Sequence, residues 1–236
     1  MKILGLIPAR GGSKGIPRKN IKLLGDRPLI AYTIQTGLAC KLLDTLIVSS
    51  EDEEIIGVSK NAGAVVPFIR PVELASDTAP TIDTVLHALH YFESINQSFD
   101  AVCLLQATAP FRHSADLDAA IQAFISSGAD SLISVKNVPH QFNPHWIFEE
   151  AADSGFLKIA TGEKEIISRR QDLPPAYYRD GAIYLTKTNI ILEKKSLYGD
   201  KIIHHLMTNS PDINIDTMKD WNKAEQYLEQ NKNQFG

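Results

Sequence analysis

The chain has 236 residues, of which 44% are hydrophobic and 22% are charged, and its net charge is −4. This length suits one α/β domain, and the acidic balance argues against broad nucleic-acid binding, which depends on a basic surface. No stretch approaches the ~18 apolar residues that cross a bilayer, and the first apolar run stops at Arg10, so we expect a cytoplasmic protein with no signal peptide and no membrane contact.

Short β-branched runs alternate with helical patterns along the first half of the chain. The runs read as strands are KILGLI, TLIVSS, AVVPFI, DAVCLLQ and DSLISV, and the segments between them have helical spacing of apolar residues. Strands separated by helices of this length indicate βαβ units. The pattern therefore predicts an α/β fold with a mostly parallel sheet covered by helices on both faces.

The alternation stops after Val135. Residues 136–180 are rich in proline, polar and aromatic residues, which predicts an irregular insertion within a single domain over 1–236. A strand, AIYLT, and an amphipathic helix, WNKAEQYLEQN, then close the chain. Because the insertion contains too many Phe, Trp and Tyr residues to remain wholly in water, we expect it to bury against a twofold mate in a homodimer.

A long cationic loop follows the first predicted strand. It contains Gly11, Gly12 and Gly15 together with Arg10, Lys14, Arg18 and Lys19. The spacing matches neither the Walker A motif nor the G-x-G-x-x-G dinucleotide motif. A loop of this composition is able to wrap several phosphates, with backbone N–H groups and cations turned inward. A solvated basic loop is the alternative.

Five stretches together resemble one enzyme family. LIPARGGSKGIPRKN resembles the opening motif of acylneuraminate cytidylyltransferases, and IRPVELASDTAPT, LLQATAPFR, RRQDLPPAYYRDGAIYLT and INIDT agree with it in order and spacing. The resemblance implies a Rossmann-like core of the nucleotidyltransferase type with a small dimerisation region. It also implies that CTP and a 2-keto-3-deoxy sugar acid (a nonulosonic-type acid) react with Mg²⁺ to give a CMP-sugar and pyrophosphate.

The chemistry needs cations that neutralise phosphoryl charge, and the loop supplies Arg10, Lys14 and Lys19. Ser13 is either a hydroxyl donor to phosphate or a turn former. The resemblance carries nucleotide binding to the positions Arg10, Asn20, Arg70, Ala79, Thr81 and Gln106. Because of the charge that they supply, Arg10 and Lys19 are the expected catalytic cations. Alternatives for two of them are a surface ion pair of Arg70 with Glu73 or Asp77, and helix capping by Thr81.

The sugar acid carries a carboxylate, which calls for arginine. Arg170 aligns with the family's catalytic arginine, which in relatives reaches the sugar acid across the dimer interface. A second family arginine aligns with Tyr178, and Arg179 follows one place later. Either Arg179 substitutes from a shifted backbone or the sugar pocket differs. Gln106, at the end of an apolar strand, is expected at the sugar acid as well.

The predicted metal ligands lie in INIDT, which resembles the family motif I-D-I-D-T. Asp216 matches the second aspartate, and Asn214 replaces the first. Side chains two apart on an extended segment share a side, so both oxygen ligands can meet one Mg²⁺. The alternative for Asp216 is a helix cap beside TMKD.

Other readings keep the fold and change the activity. The same chemistry could serve a legionaminic-, pseudaminic- or 3-deoxy-manno-octulosonic-type acid. A catalytically inactive relative that senses nucleotides is the reading from another class.

Overall fold

A six-stranded mixed sheet organises the computed structural model, which describes residues 1–152 and 154–231. The strands in chain order are β1 (Ile3–Pro8), β2 (Leu23–Leu24), β3 (Arg27–Pro28), β4 (Thr45–Ser49), β5 (Ala101–Leu105), β6 (Ser131–Asn137), β7 (Phe148–Glu150), β8 (Leu157–Ile159), β9 (Tyr177–Lys187) and β10 (Ile202–Leu206). The large sheet has the order β10-β6-β9-β5-β1-β4. β1 pairs in parallel with β4 and with β5, which confirms the predicted α/β fold with a mostly parallel sheet. β9 joins this core antiparallel to β5.

The helices cover the sheet on both faces. They are α1 (Leu29–Ala39), α2 (Glu53–Asn61), α3 (Thr81–Ser94), α4 (Ser114–Ser127), α5 (Thr188–Lys194) and α6 (Met218–Gln230). Side chains of β1 alternate between two cores: Ile3 and Ile7 pack with α1 and α4, whereas Leu4 and Leu6 pack with α3. Both faces of this strand are therefore apolar, as expected for a central parallel strand.

One local prediction is wrong, and two short features were not predicted. AVVPFI is not a strand, because Val65 forms only an isolated parallel bridge to Ile47 and Pro67 lacks the N–H that would continue the ladder. The helix α5 and the short β2–β3 pair were not predicted. They are too short to show a periodic pattern in the sequence.

The chain divides into two compact units, one formed by Met1–Ser134 with Asp180–Gly236 and the other by Val135–Arg179. The second unit lies where the sequence predicts an irregular insertion. Between the end of β6 and the start of β9, the regular structure of its described residues consists of 3₁₀ turns and the short pair β7–β8. Among the described residues, no helix is both long and apolar enough to span a bilayer. Cys40 and Cys103 are buried free thiols, and burial raises the pKa of Cys40 to about 12.

Candidate active site

A cavity of about 410 Å³ opens in the first unit where β1 and β5 end. The lining residues are Pro8, Arg10, Ser13, Lys19, Asn20, Arg70, Leu74, Ser76, Asp77, Ala79, Thr81, Thr84, Gln106, Ala107, Thr108 and Asp216. Ligands of open α/β sheets bind at this carboxyl end of the strands. The cavity thus collects every residue for which nucleotide binding is predicted except Lys14, and it adds Asp216.

The remaining predicted residues lie outside this lining. Lys14 has an exposed side chain beside the cavity, and Asn214 is exposed two residues before Asp216. Arg170, Tyr178 and Arg179 belong to the second unit, where Arg170 is exposed and begins a 3₁₀ turn that ends at Asp172. Roles in sugar-acid binding for these three residues stay predictions.

The opening loop is held against the segment that precedes α6. A Cβ on Gly15 would lie 2.1 Å from Asp216 O, so this close approach of two backbones requires glycine. Lys19 Nζ donates a hydrogen bond to Ile215 O at 2.7 Å and lies 3.1 Å from Asp216 Oδ1. The loop glycine thereby brings a lysine and an aspartate from opposite ends of the chain to one wall of the cavity.

Two further contacts define the path of this loop. Asn20 is buried, and its Nδ2 donates to Arg10 O at 3.0 Å, which fixes the backbone that carries the Arg10 side chain. Arg18 binds Asp52 and Glu54 and does not line the cavity. One of the four loop cations therefore serves the loop's own structure.

Arg70 is a buried cation in the cavity wall, and it is not a surface ion pair. Its Nη2 lies 2.6 Å from Glu51 Oε2 and donates to Ala9 O at 3.1 Å. The other carboxylate oxygen, Glu51 Oε1, accepts a hydrogen bond from Gly11 N at 2.7 Å. Glu51 therefore links the guanidinium of Arg70 to the backbone of the cationic loop.

Arg10 meets the segment that leads into α3. Its Nη2 lies 2.8 Å from Asp77 Oδ1, and its Nη1 donates to Ser76 O at 2.8 Å. Lys14 Nζ lies 3.0 Å from the second oxygen, Asp77 Oδ2. Hydrogen bonding from Lys14 and the positive charges of Lys14 and Arg10 lower the pKa of the Asp77 carboxyl, so it is ionised at neutral pH.

Gln106 follows β5 and lies beside a second buried arginine. Its backbone oxygen accepts a hydrogen bond from Arg112 Nη2. Arg112 is 3% exposed, and burial lowers the pKa of its guanidinium to about 10. Gly181 adopts a φ of +81°, and a Cβ there would lie 3.4 Å from Gln106 Oε1 and 3.2 Å from Asn214 Nδ2.

The first residues of α3 and α6 show whether Thr81 and Asp216 act as helix caps. Thr81 is the first residue of α3, and the N-cap position is held by Pro80. Thr217, rather than Asp216, caps α6, in a capping box with Asp220. Neither cap alternative applies, which leaves the side chains of Thr81 and Asp216 in the cavity lining.

The residues present suit a magnesium ion that is shared with a phosphate ligand. Among the described residues, no three His, Cys, Asp or Glu side chains are grouped as metal ligands. Mg²⁺ in nucleotide sites often takes only one or two protein carboxylates and completes its coordination with phosphate oxygens and water. Asp216 lines the cavity with a carboxylate that is 68% exposed and is therefore available for such a role.

The arrangement is suited to holding a polyanion next to a neutral polar group. Arg10, Lys19 and Arg70 supply positive charge, and Thr81 and Gln106 supply uncharged hydrogen-bonding groups. Such a cavity can neutralise phosphoryl oxygens while polar side chains select an uncharged base or sugar.

The sequence interpretation missed three residues that bind side chains or backbone of the cavity wall: Glu51, Asp77 as a partner of Arg10, and Arg112. A place for Glu51 near the cavity could have been predicted, because it follows β4, the parallel neighbour of β1, at the same edge of the sheet. Asp77 was considered only as a partner of Arg70. Arg112 lies after an irregular turn, where no pattern in the sequence indicates burial.

Comparison with known proteins agrees with this geometry. A family model described as Cytidylyltransferase matches residues 4–234. CMP-N,N'-diacetyllegionaminic acid synthase of Legionella pneumophila is 35% identical over 98% of both chains. Pseudaminic acid cytidylyltransferase of Campylobacter jejuni is 36% identical over 93% of both. N-acylneuraminate cytidylyltransferase of Escherichia coli is 30% identical over 94% of this chain and 51% of that protein.

A solved structure shows the same fold at low identity. CMP:2-keto-3-deoxy-manno-octonic acid synthetase, complexed with CTP, superposes with a TM-score of 0.74 at 14% identity, covering 98% of this chain and 99% of that chain. The likeness supports the nucleotidyltransferase type of fold.

Proposed function

This chain belongs to the cytidylyltransferase family, and from that premise we propose that it joins CMP from CTP to a nonulosonic-type sugar acid, releasing pyrophosphate. The observation that carries the proposal is the cavity at the ends of β1 and β5, where Arg10, Lys19 and Arg70 converge with Gln106. The three cations come from two separate segments, and all three are positioned by contacts within the first unit.

The reaction is an in-line displacement at the α-phosphate. The anomeric hydroxyl of the sugar acid loses its proton to solvent as its oxygen bonds to the α-phosphorus. The bond from that phosphorus to the oxygen bridging the α- and β-phosphates breaks, and this oxygen leaves with pyrophosphate. Transfer of this kind depends mainly on orientation and on neutralising charge on phosphoryl oxygens. In the proposal Arg10 and Lys19 neutralise that charge, and Arg70, Thr81 and the backbone at Ala79 bind the nucleoside.

Asp216 is the residue that would hold Mg²⁺ together with the triphosphate. The ion would supply Lewis-acid neutralisation of phosphate charge when bound. Lys19, 3.1 Å from Asp216 Oδ1, orients the carboxylate and leaves its other oxygen available. Asn214, exposed on the same segment, is the proposed second oxygen ligand.

The similar proteins favour one type of sugar acid as the substrate. The legionaminic and pseudaminic enzymes match this chain over nearly the whole of both proteins, whereas the N-acylneuraminate enzyme is about twice as long as the matched region. Tyr178 followed by Arg179 also departs from the acylneuraminate pattern. These two observations favour a legionaminic- or pseudaminic-type acid over sialic acid itself, with Arg170 and Arg179 as its proposed carboxylate partners.

The second unit is the proposed dimer contact. Phe142, Phe156 and Leu157 are 60%, 76% and 69% exposed in the single chain. Large apolar side chains exposed in one short unit are typical of a surface that another chain covers. That exposure supports the proposal of a twofold homodimer formed through this unit.

The decisive experiment measures pyrophosphate release from each of the four nucleoside triphosphates with a panel of sugar acids. We expect release with CTP and a legionaminic- or pseudaminic-type acid, weaker release with sialic acid, and none without the sugar. Arg10→Ala should remain folded and lose about 10²–10³ in rate, the cost of one electrostatic contact to the transition state. Nucleotide binding without release for any acid in the panel would instead indicate a sensing protein.

A further inference from the structure

Asp77 is paired with two cations of the opening loop: Arg10, which the proposed function assigns to the phosphates, and Lys14, which lies beside the cavity. Its two carboxylate oxygens lie 2.8 Å from Arg10 Nη2 and 3.0 Å from Lys14 Nζ. The carbonyl of Ser76 takes the remaining terminal nitrogen of the Arg10 guanidinium. The residue pair 76–77 therefore satisfies the groups that a phosphate would need.

The geometry of these contacts resembles that of a bound phosphate. A carboxylate presents two anionic oxygens in a plane, and arginine binds carboxylate and phosphate with the same fork of donors. Asp77 and Arg10 are 39% and 34% exposed, so a ligand in the cavity can reach both side chains. The pair is accessible enough to be exchanged, unlike the buried pair of Arg70 and Glu51.

We propose that Asp77 is an internal counterion that a polyphosphate must displace from Arg10 and Lys14, and that it thereby sets the selectivity of this end of the cavity. The inference rests on the proposed function, because it takes CTP as the ligand and pyrophosphate as the product. The same two ion pairs break whenever a phosphate chain reaches these cations. Asp77 therefore weakens the binding of CTP and of pyrophosphate, and it leaves the binding of uncharged cytidine unchanged.

The consequence for the reaction concerns product release. CTP is also bound through its base and ribose, so it can still saturate the cavity when Asp77 competes for its phosphates. Pyrophosphate has only the cations, so the same competition removes a larger share of its binding free energy and speeds its dissociation. Asp77 returns to Arg10 and Lys14 as the product leaves.

The test compares Asp77→Asn with wild type, since asparagine keeps the size and one acceptor oxygen but loses the charge. Calorimetric titration should show pyrophosphate and CTP binding about 3- to 10-fold more tightly, the size expected for two partly exposed ion pairs. Cytidine should bind with unchanged affinity. The inhibition constant of pyrophosphate in the forward reaction should fall by the same factor.

Two controls separate local competition from a general change in charge. Glu73→Gln removes the same charge from the 3₁₀ turn just before Asp77, where Glu73 is exposed and absent from the cavity lining, so affinity should change less than about twofold. In a Lys14→Met background the gain from Asp77→Asn should shrink, because one of the two competed contacts is already gone.

Pyrophosphate binding that is unchanged or weaker in Asp77→Asn would overturn the inference. Equal tightening by Glu73→Gln would overturn it as well, because the effect would then be long-range. Failure of the proposed function looks different, since wild type would then release no pyrophosphate from CTP with any sugar acid of the panel, whatever Asp77→Asn does to binding.

Discussion

At the scale of single residues, buried charge is concentrated where Arg70 meets Glu51. The side chains are 4% and 14% exposed, and the same carboxylate binds the N–H of Gly11. A buried ion pair is costly to break on one side only, because the remaining charge has lost its solvent and its partner. Glu51 therefore positions both a cavity cation and the loop that carries Arg10.

Glu51→Gln should lower the free energy of unfolding by about 3 kcal/mol, since it leaves the guanidinium of Arg70 buried without a counter-charge. CTP binding should weaken as well, because Arg70 and the backbone at Gly11 lose a shared anchor. Urea denaturation and calorimetric titration measure the two effects. The matched control is Glu54→Gln, which removes a 66% exposed partner of Arg18 and should cost less than about 1 kcal/mol. Equal losses in the two variants would contradict a special role for burial at Glu51.

The proposed role of Asp216 as a magnesium ligand predicts how its variants depend on Mg²⁺. Asp216→Asn should raise the Mg²⁺ concentration needed for half-maximal activity by about tenfold or more, because a unit charge beside a divalent cation is worth more than ~1.4 kcal/mol. Asn214→Ala should cost less, and Asn214→Asp should be tolerated because a carboxylate oxygen suits this ion. Metal titration at saturating CTP ranks the three variants. A wild-type Mg²⁺ dependence in Asp216→Asn would show that the triphosphate alone holds the metal.

At the scale of elements, the loop between β4 and α2 ties the cationic loop to the sheet. Asp52 is the N-cap of α2, where its Oδ1 accepts a hydrogen bond from Ile55 N at 2.9 Å, and it also binds Arg18. One side chain thus begins a helix and anchors the loop that lines the cavity. Hydrogen bonding to Arg18 lowers the pKa of the Asp52 carboxyl.

This shift has a definite sign in the dependence of stability on pH. Because the folded-state pKa of Asp52 lies below its unfolded value of ~3.9, the charged form stabilises the fold above about pH 4, and that contribution is lost as the pH falls through the lower folded value. Asp52→Asn keeps the cap but loses the charge. At pH 7 it should lower the free energy of unfolding by about 1 kcal/mol, and the difference from wild type should shrink below pH 4. Urea denaturation at pH 7 and pH 3 decides the matter, and equal differences at both values would rule out this linkage.

At the scale of the whole molecule, the first unit holds the cavity, and the second unit exposes large apolar side chains at one of its short strands. Phe156 precedes β8 and Leu157 is its first residue, and both side chains are mostly exposed. A surface of this kind in a 45-residue unit is the physical basis of the dimer proposal.

Light scattering at assay concentration should therefore give the mass of two chains. Phe156→Asp should shift the protein toward monomer, because a charge placed at a covered apolar contact loses its solvation. Leu192→Asp, an equivalent change at a 46% exposed leucine of α5, should leave the mass unchanged. A fully active monomer of the wild-type chain would contradict the proposal.

The fold class, the main helices and the chemical character of the site can all be predicted from the amino-acid sequence. These properties depend on local patterns: apolar periodicity gives strands and helices, and glycines with cations after a strand give an anion-binding loop. The five motifs in order were enough to indicate the family. Where a local rule was broken, as by Pro67 in AVVPFI, the strand prediction was wrong.

The pairing of charged side chains, by contrast, is defined by the packing of the folded chain. Arg10, Arg18 and Arg70 bind Asp77, Asp52 and Glu51, at separations of 67, 34 and 19 residues in the chain. With 28 acidic residues available, composition cannot choose among the partners. The choice depends on strand register and on how closely Gly15 lets the loop approach Asp216, because ion pairing requires contact distances that only the packed chain defines.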